Sequence, residues 1–193
     1  TLVFLDPYVE ALAAQGGMPS VQRADLSTLL PGWGLKLRED MIVTDFANSM
    51  VVGVGESRNP VRHIGLLSMN PQSSNGDSLD DIVLHGLESL NWSSAGILDI
   101  EENSTTKVQP LILTSDQSRP QAADILPQMQ DPQQLMNDFA PTGERYTLAA
   151  RISGAAKTAF PDGITVTVVK EDADLEGNEL EAESDNVEGS SPE

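Results

Sequence analysis

Apolar residues along this chain follow two alternating patterns. One is extended: short apolar runs bounded within a few residues by Gly, Pro, Asn, Asp or Ser. It predicts strands at Thr1–Leu5, Met41–Thr44, Met50–Val54, Ile64–Met69, Gly96–Ile100, Val108–Thr114, Tyr146–Ser153 and Ile164–Val169. The first and fourth are nearly continuous in apolar character, as for strands covered on both faces. Tyr146, Leu148, Ala150 and Ile152 alternate with more polar neighbours, which suits an edge or half-exposed strand.

The second pattern is helical and shorter. Leu26, Leu29 and Leu30 share a face behind Asp25 and stop at Pro31-Gly32. Ser78 and Asp81 resemble a capping pair before Ile82, Val83, Leu87 and Leu90, although Gly86 interrupts that face. Asp131-Pro132 places a proline in the first turn ahead of Leu135, Met136 and Phe139. Strands alternating with helices predict an α/β domain over residues 1–170. The connections Gln15–Ser20, Glu56–Pro60, Asn70–Ser78 and Ser115–Ala122 read as loops, some of them long for such a domain.

Charge changes the picture at the C-terminal end. Net charge is −19, and ten acidic residues with no Lys or Arg lie between Glu171 and Glu193. That segment has too few apolar residues to offset its ordering entropy, so 171–193 is expected to be a disordered acidic tail or linker. An acidic surface repels nucleic acid and anionic membranes. The chain has no cysteine, which removes disulfides, thiolate metal sites and thiol nucleophiles. No apolar run approaches the ~20 residues that span a bilayer. Because the chain opens inside a strand-like run and closes on a polar tail, it reads as a piece of a longer polypeptide.

Candidate chemistry centres on Val3-Phe4-Leu5-Asp6-Pro7-Tyr8-Val9-Glu10. An aspartate leaving a buried strand, with a glutamate one turn later, has the makings of an acid/base pair. The same residues also describe a helix start, with Asp6 capping free N–H groups and Pro7 where no N–H is required. This second account explains the proline, and catalysis does not. Asp6, Tyr8 and Glu10 nonetheless mark the expected ligand or partner edge. Gly53-Val-Gly-Glu-Ser57 lacks both the third glycine of a dinucleotide loop and the Gly-Lys-Ser/Thr of a nucleotide loop. His63 and His85 lack metal-ligand spacing, and Asp77, Asp80 and Asp81 lack the calcium-loop pattern. No catalytic residue, metal or cofactor is expected.

Several collinear blocks carry a family likeness. They are "LVFLDPYVEAL" (2–12), "ADLSTLLPGWGLKL" (24–37), "HGLESLNWSSAGIL" (85–98), "PLILTS" (110–115) and "YTLAARISGAAKTAFPDG" (146–163). Together they resemble the auxiliary component of ABC transporters related to the gliding-motility protein GldG. The resemblance implies a Rossmann-like three-layer α/β sandwich with a mainly parallel sheet, akin to class I glutamine-amidotransferase-like folds. Those enzymes use a cysteine nucleophile, which this chain lacks. It further implies an extracytoplasmic (periplasmic) module, tethered by transmembrane helices outside these residues, beside an ABC permease and its ATPase. A non-catalytic role binding a partner protein or periplasmic ligand follows. The competing expectation is a hydrolase, perhaps glycan-directed, using Asp6 and Glu10.

Overall fold

Three residues separate the extended segment 41–45 from 49–54, and four separate 54 from 59, too few for a parallel crossover, which needs about a dozen. The chain therefore folds back on itself. The computed structural model describes residues 1–5, 7, 28–56, 58–71, 81–102, 104–129, 131–161, 163–167 and 184–187. The chain divides into two units, 1–157 and 158–193. The first holds β1 (Leu35–Leu37), β2 (Met41–Asp45), β3 (Ser49–Val54), β4 (Asn59–Met69), β5 (Leu90–Ser93), β6 (Leu98–Ile100), β7 (Lys107–Leu113), β8 (Ser118–Ala122) and β9 (Thr147–Ser153). The second holds β10 (Ile164–Thr167) and β11 (Ser184–Val187).

The strands form a four-stranded sheet in the order β1-β6-β9-β7, a three-stranded sheet β3-β4-β5 and the pairs β2-β8 and β10-β11. Every pairing is antiparallel. This overturns the expected Rossmann-like, mainly parallel three-layer α/β sandwich. The helical layers are missing from the described residues as well. Pro31–Trp33, Ala123–Gln128 and Pro132–Met136 are short 3₁₀ helices of three, six and five residues. Asp131 does cap as its position suggests, accepting from the Gln133 N–H at 2.9 Å, but the turn ends within five residues. Asp81–Gly86 is a turn, and Leu90, placed on a helix face by spacing, opens β5 instead. Leu26 and Ser78 lie outside the described residues. Thr1–Leu5 is unpaired coil with Phe4 83% exposed, not a buried strand. Ser184–Val187 falls in the segment expected to be disordered yet pairs with β10 from Ile164↔Val187 to Thr167↔Ser184. The other residues of 171–193 lie outside the described set.

The core of the first unit forms where β2 is enclosed on both margins. One margin pairs with β8 from Met41↔Ala122 to Asp45↔Ser118. On the other, the Val43 N–H donates to the Ala95 carbonyl at 2.8 Å, and just ahead of the strand the Arg38 N–H donates to Ile97 at 2.9 Å. Val43 then packs with Leu67, Met69, Leu84, Ala95, Ile97, Leu111, Ile112, Tyr146 and Leu148. Aliphatic side chains fill this interior, each contributing about 1.5–3 kcal/mol on burial.

Two buried carboxylates hold the connections in place. Asp45, fully buried at the end of β2, accepts four hydrogen bonds: from the Asn48 N–H (3.1 Å), Asn48 Nδ2 (2.7 Å), the Ser115 N–H (2.7 Å) and Ser115 Oγ (2.6 Å). It thereby ties the β2–β3 turn to the chain leaving β7. Asp81 accepts from Arg151 on β9 through both oxygens (2.7 and 2.6 Å) and from the Val83 N–H (2.9 Å). The Arg151 guanidinium holds the Asp81 carboxyl below the ordinary aspartate value of 3.8, burial opposing and the Val83 bond assisting. A depressed folded-state pKa means stability that is whole above the unfolded value and lost as pH falls through the folded one. We expect the gap in urea midpoint between the parent and Asp81→Asn to stay constant from neutral pH to about pH 5 and to close below about pH 4. A gap that widened on acidification would contradict this coupling.

Candidate functional site

β6 and β9 are joined by one pair, Leu98↔Thr147. Beyond it the two segments separate, and a cleft of about 470 Å³ opens between Leu98–Ile100 and Glu144–Thr147. That volume falls in the ~300–1,000 Å³ range of ligand-sized pockets. Arg38, just past β1, reaches over β6 into the cleft. Its Nε and Nη2 donate to the Asp99 carboxylate at 2.8–3.0 Å, and its guanidinium carbon lies 5.3 Å from the Tyr146 ring centroid. The hydrogen bond to Asp99 raises the Arg38 pKa further above its ordinary value, so it stays charged at every relevant pH.

The opposite wall is braced from behind. Arg145 Nε donates to the Thr114 carbonyl at 2.8 Å, and the Tyr146 N–H donates to Thr114 Oγ1 at 2.8 Å. The Tyr146 hydroxyl lies 2.8 Å from Thr142 Oγ1 and donates to Glu144 Oε2 at 3.1 Å. The cleft thus contains two guanidinium and two carboxylate groups, formally neutral in a chain of net charge −19. Ile100, 39% exposed, supplies an apolar lip. A self-neutralised surface can accept a polar partner side chain without a net charge penalty.

The residues singled out from the sequence are placed differently. Asp6, Tyr8 and Glu10 lie outside the described residues. Their neighbour Pro7 is buried, and a Cβ on Gly96 would sit 3.2 Å from its ring carbons. Gly53 and Gly55 belong to the β3–β4 hairpin, not to a phosphate loop. His63 is buried, its Nδ1 accepting from the Gly65 N–H at 3.2 Å, while His85 is exposed. Among the described residues no group of three or more His, Asp or Glu side chains is arranged to hold a metal ion. Among the same residues no helix is long and apolar enough to cross a membrane. Arg38, Asp99, Glu144 and Tyr146 were not anticipated. Glu144-Arg145-Tyr146 was the local cue, opposite charges beside an aromatic just ahead of an alternating strand, whereas Arg38 and Asp99 are 61 positions apart.

The description of ABC-type uncharacterized transport systems fits nearly the whole chain, its family model matching residues 1–188. Neither a curated protein nor a solved structure matches. With a match of that extent, the chain belongs to the auxiliary-component family of ABC-type transport systems.

Proposed function

We infer that this chain is a non-catalytic auxiliary module of GldG type, working on the extracytoplasmic side of the membrane, that docks on the permease of its transport system through the cleft between β6 and the run into β9. Family membership supports the transport context. The observation that carries the docking reading is the cleft itself, where guanidinium and carboxylate groups neutralise one another beside an exposed isoleucine. Charge-neutralised polar groups beside an exposed apolar residue suit protein recognition. The ligand-binding and gliding-motility aspects of the resemblance belong to this same reading. The hydrolase alternative rests on Asp6 and Glu10, and no observation among the described residues favours it.

The test uses the permease and ATPase of the same system reconstituted together in vesicles, with binding of the chain measured directly. Ile100→Glu places a charge on the exposed lip and should weaken binding about tenfold or more, with an unchanged melting temperature. Val83→Glu, an exposed site outside the cleft, should leave binding unchanged. No binding by the parent chain, or binding indifferent to Ile100→Glu, would falsify the docking surface.

A further inference from the structure

We propose that Thr114 and Ser118, both fully buried, are positioning residues for the cleft: their hydroxyls set the Glu144–Tyr146 wall and, through Tyr146, the Arg38 guanidinium. The functional half of this inference rests on the docking reading and names the groups that fix the docking surface from inside the fold. The structural half stands without it.

The β7–β9 ladder ends at Leu113↔Thr147, so the wall lies just beyond the paired part of β9. Thr114 takes over there with every polar group it has. Its N–H donates to the Tyr146 carbonyl at 2.9 Å, its Oγ1 accepts from the Tyr146 N–H at 2.8 Å, and its carbonyl accepts from Arg145 Nε at 2.8 Å. Ser118 holds the residues ahead of these. Its Oγ lies 3.0 Å from the Glu144 carbonyl, and its own carbonyl accepts from the Thr142 N–H at 3.0 Å.

The two hydroxyls form a directed chain. Thr114 Oγ1 and Ser118 Oγ lie 2.8 Å apart, and each carries one hydrogen. The Ser118 hydrogen faces two groups that can only accept, the carbonyls of Ser115 at 2.7 Å and Glu144 at 3.0 Å. Thr114 is therefore the donor to Ser118, which leaves its lone pairs to the Tyr146 N–H. The order runs from the Tyr146 N–H to the Thr114 hydroxyl, the Ser118 hydroxyl and a carbonyl, and each bond polarises the next. The far end is anchored in turn, because the Ser115 N–H and Oγ donate to buried Asp45 at 2.7 and 2.6 Å. Removing Thr114 Oγ1 takes the acceptor from the Tyr146 N–H and the donor from Ser118 at once. Tyr146 is 5% exposed and lies under the Arg38 guanidinium, 5.3 Å from ring centroid to guanidinium carbon. A displaced Tyr146 thus disturbs Arg38 and its pairing with Asp99 in the cleft.

Thr114→Val keeps the branched outline and deletes the hydroxyl. In NMR spectra of the isotope-labelled chain it should shift the Tyr146 amide and Arg38 Nε–H signals. Binding to the permease–ATPase vesicles should weaken about tenfold or more. Thr114→Ser restores the hydroxyl and should return both signals and the affinity to near the parent's. Ile64→Val, equally buried on β4, should leave all three unchanged and so separates positioning from a general loss of stability. Tyr146 and Arg38 signals that stay put in Thr114→Val overturn the proposal, as does a shift that persists undiminished in Thr114→Ser. So does a Thr114→Val chain whose signals move while its vesicle binding matches the parent's. If the parent itself does not bind, the docking reading falls, and the NMR comparison alone decides whether Thr114 positions Arg38.

Discussion

Replacing Asp45 with alanine is expected to lower stability by about 3–5 kcal/mol, read as a drop in urea-unfolding free energy. The cost arises from what the carboxylate leaves behind. The Asn48 and Ser115 N–H groups, the Asn48 amide and the Ser115 hydroxyl all donate to it at 2.6–3.1 Å. Asp45 is 0% exposed, so water does not take its place without rearrangement of the turn. Each buried N–H left without an acceptor costs about 1–3 kcal/mol. Asp45→Asn should cost less, about 1–2 kcal/mol, since one acceptor oxygen survives while the amide nitrogen confronts a donor. Against a total stability of about 5–15 kcal/mol, the alanine variant loses a large share. A loss below about 1 kcal/mol would mean that the Asn48 and Ser115 turns are held by something else.

Gly34→Ala should be nearly as damaging, at about 2–5 kcal/mol, from two separate causes. Gly34 ends the 3₁₀ turn Pro31–Trp33 with φ of 78°, and its N–H donates to the Pro31 carbonyl at 3.1 Å. An L-residue pays about 1–2 kcal/mol for that conformation. The new methyl would also fall 2.4 Å from Ser104 Oγ and 2.5 Å from Ser104 Cβ. Ser104 cannot simply swing away, because its hydroxyl lies 2.6 Å from Thr106 Oγ1 and accepts from the Thr106 N–H at 3.1 Å. Thr106 in turn donates to the Trp33 carbonyl at 2.8 Å. The double variant Gly34→Ala/Ser104→Gly separates the causes, since it removes the collision and keeps the backbone strain. It should recover about half of the loss. No recovery would assign the whole effect to the backbone.

Local reading succeeded where the signal is itself local. β2, β3, β7 and β9 lie within a residue or so of the runs that predicted them, because β-branched and aliphatic residues between turn formers leave few alternatives. β8 was read as a loop. Its Ser-Arg-Pro-Gln-Ala sequence carries no strand signal, and it is extended because β2 offers it a ladder. β5 was hidden for the opposite reason. Leu87 and Leu90 share helical spacing, but Leu90 pairs across to Met69. Sheet direction was partly legible, since the predicted runs Met41–Thr44 and Met50–Val54 lie only five residues apart, too few for a parallel crossover.

The candidate site was the least legible part. Its expected residues, Asp6, Tyr8 and Glu10, fall outside the described set. The cleft that emerged depends on Arg38 meeting Asp99 and on Tyr146 lying beneath the guanidinium. No spacing rule links positions 61 and 108 residues apart.

What the sequence determined alone is most of the extended segments, the acidic balance, the absence of thiol chemistry and the collinear blocks shared with transporter auxiliary components. Each is a property of neighbours along the chain or of a sum over it. Tertiary structure decided the direction of every ladder, which carboxylates are buried and satisfied, and where a sheet parts to leave a cleft. Those depend on hydrogen bonds between residues such as Asp45 and Ser115, 70 positions apart, and burial alone makes such a bond strong enough to matter.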